Sequence, residues 1–222
     1  MARVAWCLVL LGLCGVGAAT VAAAQVAPAS NPSPDLTYVP HYLNIVGRGP
    51  NGAPDSLKGT YVVEARDYSN RPMVGSRVMV DLSGCPDIRI DQEQWPSLTV
   101  HCAQKIVAGF TDAQGKARFC IVGSGTNVGA SNGAGADGAQ VTVDGWMMGL
   151  VTVAVFDQDG AVTNPGVGLT DAIACLRDWG SGTYYGRSDV DHDGAIGLPD
   201  FIRILQVWGG GSSVFGPNEL CP

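Results

Sequence analysis

Basic residues are scarce in this chain: 13 Lys and Arg stand against 20 Asp and Glu, a formal net charge of −7 over 222 residues. So acidic a protein has no electrostatic footprint for nucleic acid or for an anionic membrane surface. His41 and His101 stand alone, without a metal-ligand partner at helical or loop spacing and outside any nucleophile motif. The glycine-rich stretch 123–138 lacks the Gly-Lys-Ser/Thr ending of a phosphate loop and leads into a strand pattern, so it reads as a long flexible loop. No carboxylate pair is placed for glycosidic acid–base work, since Asp87 and Asp91 fall together in a polar stretch. An enzyme is therefore not expected.

Long apolar runs are also lacking, with one exception at the start. Arg3 precedes an apolar run over 4–16, and small residues follow, ending Ala22-Ala23-Ala24 before Gln25. That is the order of a secretory signal peptide, and the run is too short for a membrane anchor, which needs about 20 apolar residues. Lipid attachment at Cys14 is disfavoured by Leu13, which is bulky where that processing wants a small residue. Residues 1–24 are expected to be removed, giving a protein that is secreted or held at the cell surface without membrane insertion. The Pro-, Ala-, Ser- and Asn-rich segment 25–35 reads as a flexible linker.

Cysteines outside the leader number five, Cys85, Cys102, Cys120, Cys175 and Cys221. An odd count in an exported chain leaves one thiol unpaired within the molecule. The expected pairs are Cys85–Cys102, flanking a polar segment, and Cys175–Cys221, clasping the C-terminal part, with Cys120 a buried thiol in a strand pattern.

Short apolar runs separated by turn residues fill 36–156. Strands are expected at 42–46, 60–67, 76–82, 105–110, 116–122, 141–143 and 146–156. Val78 and Val80 alternate with Arg77, Met79 and Asp81, the period of a strand with one buried face. Asp144-Gly145 marks one hairpin, and Thr111-Asp112-Ala113-Gln114-Gly115 is expected to join 105–110 to 116–122 in another. Roughly seven strands without helical period argue for an antiparallel β-sandwich.

Beyond Phe156 the pattern turns helical and acidic, with nine acidic and three basic residues from Asp157 onward. The run Asp171-Ala172-Ile173-Ala174-Cys175-Leu176-Arg177-Asp178-Trp179-Gly180 matches Asp200-Phe201-Ile202-Arg203-Ile204-Leu205-Gln206-Val207-Trp208-Gly209 at a constant offset of 29. A duplicated loop–helix unit is present. Ile173, Leu176 and Trp179, and their counterparts Ile202, Leu205 and Trp208, form one stripe on each helix. The two stripes are expected to bury against each other, which makes the tryptophans core rather than a sugar platform.

The loop before the second helix, Asp189-Val190-Asp191-His192-Asp193-Gly194-Ala195-Ile196-Gly197-Leu198-Pro199-Asp200, has carboxylates at positions 1, 3, 5 and 12 and glycine at 6. A calcium loop requires that spacing, because alternate residues of a tight turn aim their oxygens at one point. Expected ligands are Asp189, Asp191, Asp193, the Ala195 carbonyl, Gly197 through water, and Asp200. In the first copy the offset places Gly160, Val162 and Asn164 at positions 1, 3 and 5. Only a weak site is expected there, from Asn164 and Asp171 with the displaced Asp157 and Asp159.

Two family resemblances follow from these residues. The runs Val62-Val63-Glu64-Ala65-Arg66-Asp67 to Val78 and Gly109-Phe110-Thr111-Asp112-Ala113-Gln114-Gly115-Lys116-Ala117-Arg118-Phe119 resemble bacterial Ig-like domains of the invasin and intimin type. That likeness implies a spacer or adhesive module over 36–156. The duplicated unit over 157–222 resembles a type I dockerin, which implies Ca2+ as the bound ion and a cohesin-like or other surface protein as partner. Dockerin positions 10 and 11, where small hydroxylated residues meet cohesin, are Leu169-Thr170 and Leu198-Pro199 here. The expected whole is mainly β with a small α module, an Ig-like antiparallel β-sandwich followed by a dockerin-like, EF-hand-like domain. Its alternatives are an adhesin or matrix component without a cohesin partner, and an accessory protein of polysaccharide catabolism.

Overall fold

The computed structural model describes residues 30–49, 52–126, 138–160, 166–208 and 220–221. The leader, most of the 123–138 loop and Asn164 lie outside the described residues.

Ten strands are formed among the described residues: β1 (Tyr42–Ile45), β2 (Thr60–Glu64), β3 (Arg77–Asp81), β4 (Ile88–Ile90), β5 (Thr99–His101), β6 (Ile106–Phe110), β7 (Lys116–Cys120), β8 (Gly123–Gly125), β9 (Ala139–Val143) and β10 (Trp146–Val155). Six make one sheet in the order β1-β10-β9-β3-β6-β5, while β2 pairs with β7 and β4 with β8. Tyr61 and Val63 of β2, Phe119 of β7 and Ile88 and Ile90 of β4 share one core with Val78, Val80, Val141 and Val153 of the large sheet. The chain is thus mainly β and layered like a sandwich. Each layer hides alternate side chains, and β3 buries Val78 and Val80 completely while Arg77 stays outside.

Several expectations need correction. The sheet is mixed, because β1 runs parallel to β10. The β9–β10 hairpin closes on Asp144 and Gly145, both at positive φ (48° and 84°), as a two-residue turn of that type demands. The 111–115 turn forms, with Gly115 at φ 76°, but joins no hairpin: β6 pairs with β3 and β5, and β7 pairs with β2. It carries the chain between layers, and a Cβ on Gly115 would meet the Ala65 carbonyl at 2.7 Å. The end of the 25–35 segment is docked rather than free, for Pro32 bridges Asp67 and the Ser33 amide donates to the Arg66 carbonyl. Asp87 and Asp91 are buried at either end of β4 rather than lying in a polar loop.

Helix α1 is a single turn (Ser56–Gly59); α2 (Leu169–Gly180) and α3 (Leu198–Val207) are the duplicated helices. Their packing reverses the expected faces. Ile173, Leu176, Trp179, Ile202 and Trp208 are exposed, at 41–53% of their surface. The buried residues are Asp171, Ala172, Ala174, Cys175 and Asp178 on α2 and Asp200, Ile204 and Val207 on α3. Cys175, Ile204 and Val207 join Val46, Cys120, Ala154 and Phe156 of the sandwich in a second core, so the helices lie on the sandwich with small and branched side chains inward.

The disulfide is Cys102–Cys221, joining residues 119 apart, with Cys85, Cys120 and Cys175 buried and free. Both expected pairs are therefore wrong. Spacing along the chain carried no information on this, because the edge strand β5 ends at His101 and delivers Cys102 next to the site where Cys221 docks on the Ile90 carbonyl. Burial pushes the Cys85 and Cys175 thiols up to about 12, so neither is a ready thiolate. Peptide mapping without reductant should recover Cys102 linked to Cys221. Cys102→Ser should lower unfolding free energy by about 2–4 kcal/mol in urea melts.

Candidate metal centre

Both helices of the repeat begin in the same way. An extended glycine, Gly168 or Gly197, donates its amide to the carboxylate three residues on, Asp171 Oδ2 at 2.7 Å or Asp200 Oδ2 at 2.9 Å. The other oxygen of each carboxylate reaches back across its loop. Asp200 Oδ1 accepts from the Asp191 amide at 3.1 Å, and Asp171 Oδ1 accepts from the Asp159 amide at 3.0 Å. By this match Asp159 is the counterpart of Asp191, and twelve positions separate Asp159 from Asp171 against nine between Asp191 and Asp200. The first loop thus holds three extra residues, which the gap-free offset of the helices conceals. Asp157 and Asp159, not Gly160 and Val162, take the first and third places.

Each loop gathers three carboxylates, Asp157, Asp159 and Asp171 in one and Asp189, Asp191 and Asp193 in the other, with one oxygen from each lying within 4.8 Å of the rest. Two oxygens bound to one ion at 2.3–2.6 Å can be no farther apart than about 5 Å. The donors are all oxygen, a set that suits a hard cation and leaves out the sulfur and imidazole ligands typical of zinc. Either loop could hold a metal ion.

The two differ in burial. Asp157 and Asp171 are buried and Asp159 is only 9% exposed, whereas in the second loop Asp189 is buried, Asp191 half-buried and Asp193 exposed. Desolvation and the neighbouring Asp171 push the Asp157 carboxyl up to about 7, against the amides of Gly160 and Gly166 that favour its charged form. Burial also raises Asp171 and Asp200. Asp200 is not one of the gathered set in its loop: its Oδ2 serves the start of α3, and its Oδ1 takes the Asp191 amide across the loop. Ala195 and Gly197 lie beside the triad, the Ala195 amide donating to Asp193 Oδ1 at 2.9 Å.

Two further residues support the second loop, and neither role was legible from the calcium-loop spacing. The Tyr184 hydroxyl donates to Asp189 Oδ2 at 2.7 Å, and burial with that bond raises its phenol. His192 adopts φ 63° and stacks on Tyr42 of β1, ring centroids 4.7 Å apart, which ties the loop to the sheet. Only a tyrosine five residues before the first carboxylate could have pointed to the former.

No family model matches this chain, and no curated protein does. Among solved structures it is similar to the adhesin InvE of Yersinia pseudotuberculosis, with 16% identity and a TM-score of 0.24, over 57% of this chain and 28% of that chain. Among the described residues no helix is long and apolar enough to cross a membrane.

Raised carboxyls set the sign of the pH dependence without metal. Asp157 binds its proton more tightly folded, at about 7, than unfolded, at the ordinary 3.8, so its contribution is complete below 3.8 and lost as pH rises through 7. In chelator, urea midpoints should be higher at pH 5 than at pH 8. Asp157→Asn should shrink that difference; an unchanged difference would show that Asp157 is not its source.

Proposed function

We propose that this is an exported, non-catalytic calcium-binding protein whose β-sandwich carries a duplicated loop–helix module for docking a partner protein. The observation that carries the reading is a carboxylate triad in the loop of each repeat, each loop leading into a helix with an exposed apolar face. Calcium is the ion that oxygen-only donors at this separation favour, since Mg2+ holds its ligands at 2.0–2.1 Å and keeps several waters. Asp157, Asp159 and Asp171 would hold one ion, and Asp189, Asp191 and Asp193 the other. Each ion would neutralise charges that otherwise repel at close range, by roughly 4 kcal/mol per pair at an effective dielectric of 20.

Neutralised loops fix the starts of α2 and α3 and thereby the two outward stripes. Leu169, Ile173 and Trp179, with Leu198, Ile202 and Trp208, present apolar surface that an unpartnered soluble protein normally hides. A partner of the cohesin kind would lie across one or both stripes. A second reading, an adhesin or matrix component without a cohesin, is favoured by the exposed Leu169 and Leu198 at positions where cohesin contacts are small and hydroxylated.

Calorimetric titration of the protein with calcium chloride should show binding, and a calcium excess of 100 times the dissociation constant should add about 2.7 kcal/mol to stability. Asp189→Asn with Asp191→Asn should remove one site. Absence of binding heat together with no chelator effect on melting would overturn the proposal. Trp179→Ser with Trp208→Ser should leave melting within about 0.5 kcal/mol, as surface changes do, yet abolish calcium-dependent capture of a purified cohesin. Capture that survives these changes points away from the stripes, and no capture of wild type favours the second reading.

A further inference from the structure

We propose that Gln158 couples the two carboxylate loops, so that a cation in one raises the affinity of the other; this rests on the calcium reading above. Gln158 stands between Asp157 and Asp159, and its amide donates to Asp171 Oδ1 at 2.5 Å, so its backbone belongs to the first triad. Its side chain leaves that loop. Oε1 accepts from the Ser188 hydroxyl at 2.9 Å, while Nε2 faces the carbonyls of Val155 at 3.4 Å and Arg187 at 3.5 Å. Two carbonyls opposite one end and a hydroxyl opposite the other fix which way the amide points.

Ser188 immediately precedes Asp189, the first carboxylate of the second triad. Its hydroxyl has a single proton for two acceptors, Gln158 Oε1 and Asp178 Oδ2, the latter at 2.6 Å. Gln158, Ser188, Asp189 and Asp171 are each at most 1% exposed, so no water competes along this path. The path is short and wholly polar: triad, Gln158, Ser188, triad.

Coupling follows from shared ordering. A cation that fixes Asp157, Asp159 and Asp171 also fixes the Gln158 backbone, hence its side chain, hence Ser188 and the start of the second loop. The second cation then meets a loop whose freedom has already been restricted, which is positive cooperativity without a change of fold. Gln158 is a positioning residue here and donates no ligand atom.

The test is a double-mutant cycle on the whole protein, titrated with calcium chloride in a calorimeter. In the wild-type background, Asp157→Asn should disable the first loop and weaken the second about ten-fold, within the usual range of coupling between sites. In the Gln158→Ala background, the same Asp157→Asn change should leave the second loop's affinity where Gln158→Ala alone put it. Ser188→Ala cuts the same link from the other side and should reproduce that result, which keeps the test in force if Gln158→Ala fails to fold. Equal weakening in both backgrounds, or none in the wild type, overturns the coupling while leaving calcium binding intact. No binding heat in the wild-type protein overturns the calcium reading itself, and the coupling with it.

Discussion

Among the described residues Arg187 is the largest side chain buried completely, and the arrangement of the helical half depends on how that charge is met. Its guanidinium grips Asp178 with two bonds, Nε to Oδ2 at 2.9 Å and Nη2 to Oδ1 at 3.0 Å, and Nη1 lies 4.0 Å from Asp87. Taking an arginine and a carboxylate out of water costs several kcal/mol per ion, so such a pair adds little net stability. Removing one partner is a different matter, at about 3–5 kcal/mol, because it strands the other charge. The pair therefore acts as a constraint on geometry. It holds the last turn of α2, the turn at Gly186–Ser188 and the stretch before β4 in one relative position, and Asp189 follows from that turn.

That constraint explains why the helices face the way they do. Asp178 shares a face with Ala172 and Cys175, and this face must turn inward to meet Arg187. Trp179 and Ile173 are then carried outward. The period of the apolar stripe was legible in the sequence, but which side of each helix would be buried was not. Large apolar side chains normally decide that question through the area they hide. Here a buried ion pair and two buried capping carboxylates decide it, and a lone arginine in a loop gives no sign of being a core residue. The small residues Ala172, Ala174 and Cys175 were the available clue, since small side chains allow a helix to approach a sheet closely.

In the sandwich, what was readable was local. The alternation of Val78 and Val80 and the Asp144-Gly145 turn report conditions on neighbouring residues, and both appear in the fold. The destination of the chain after Gly115 and the partner of Cys102 depend on which layer each strand joins. Strands of both layers carry the same two-residue period, so the pattern does not distinguish them. The strands β4, β5 and β8 escaped notice because three residues are too few to display a period at all.

The first carboxylate loop sharpens the same point. Helices tolerate no insertion without rotating every later side chain by 100°, so the repeat is exact at an offset of 29 across α2 and α3. Loops absorb added residues at small entropic cost, and three extra residues before Gly168 moved the ligands out of that register. The consequence is energetic as well as geometric. Three carboxylates almost wholly withdrawn from water form a worse apo state than a set with one buried, one half-buried and one exposed member, so the loop that departs more from the usual spacing would gain more from an ion. A sequence match ranks the second loop higher, whereas the energy of the empty site ranks the first.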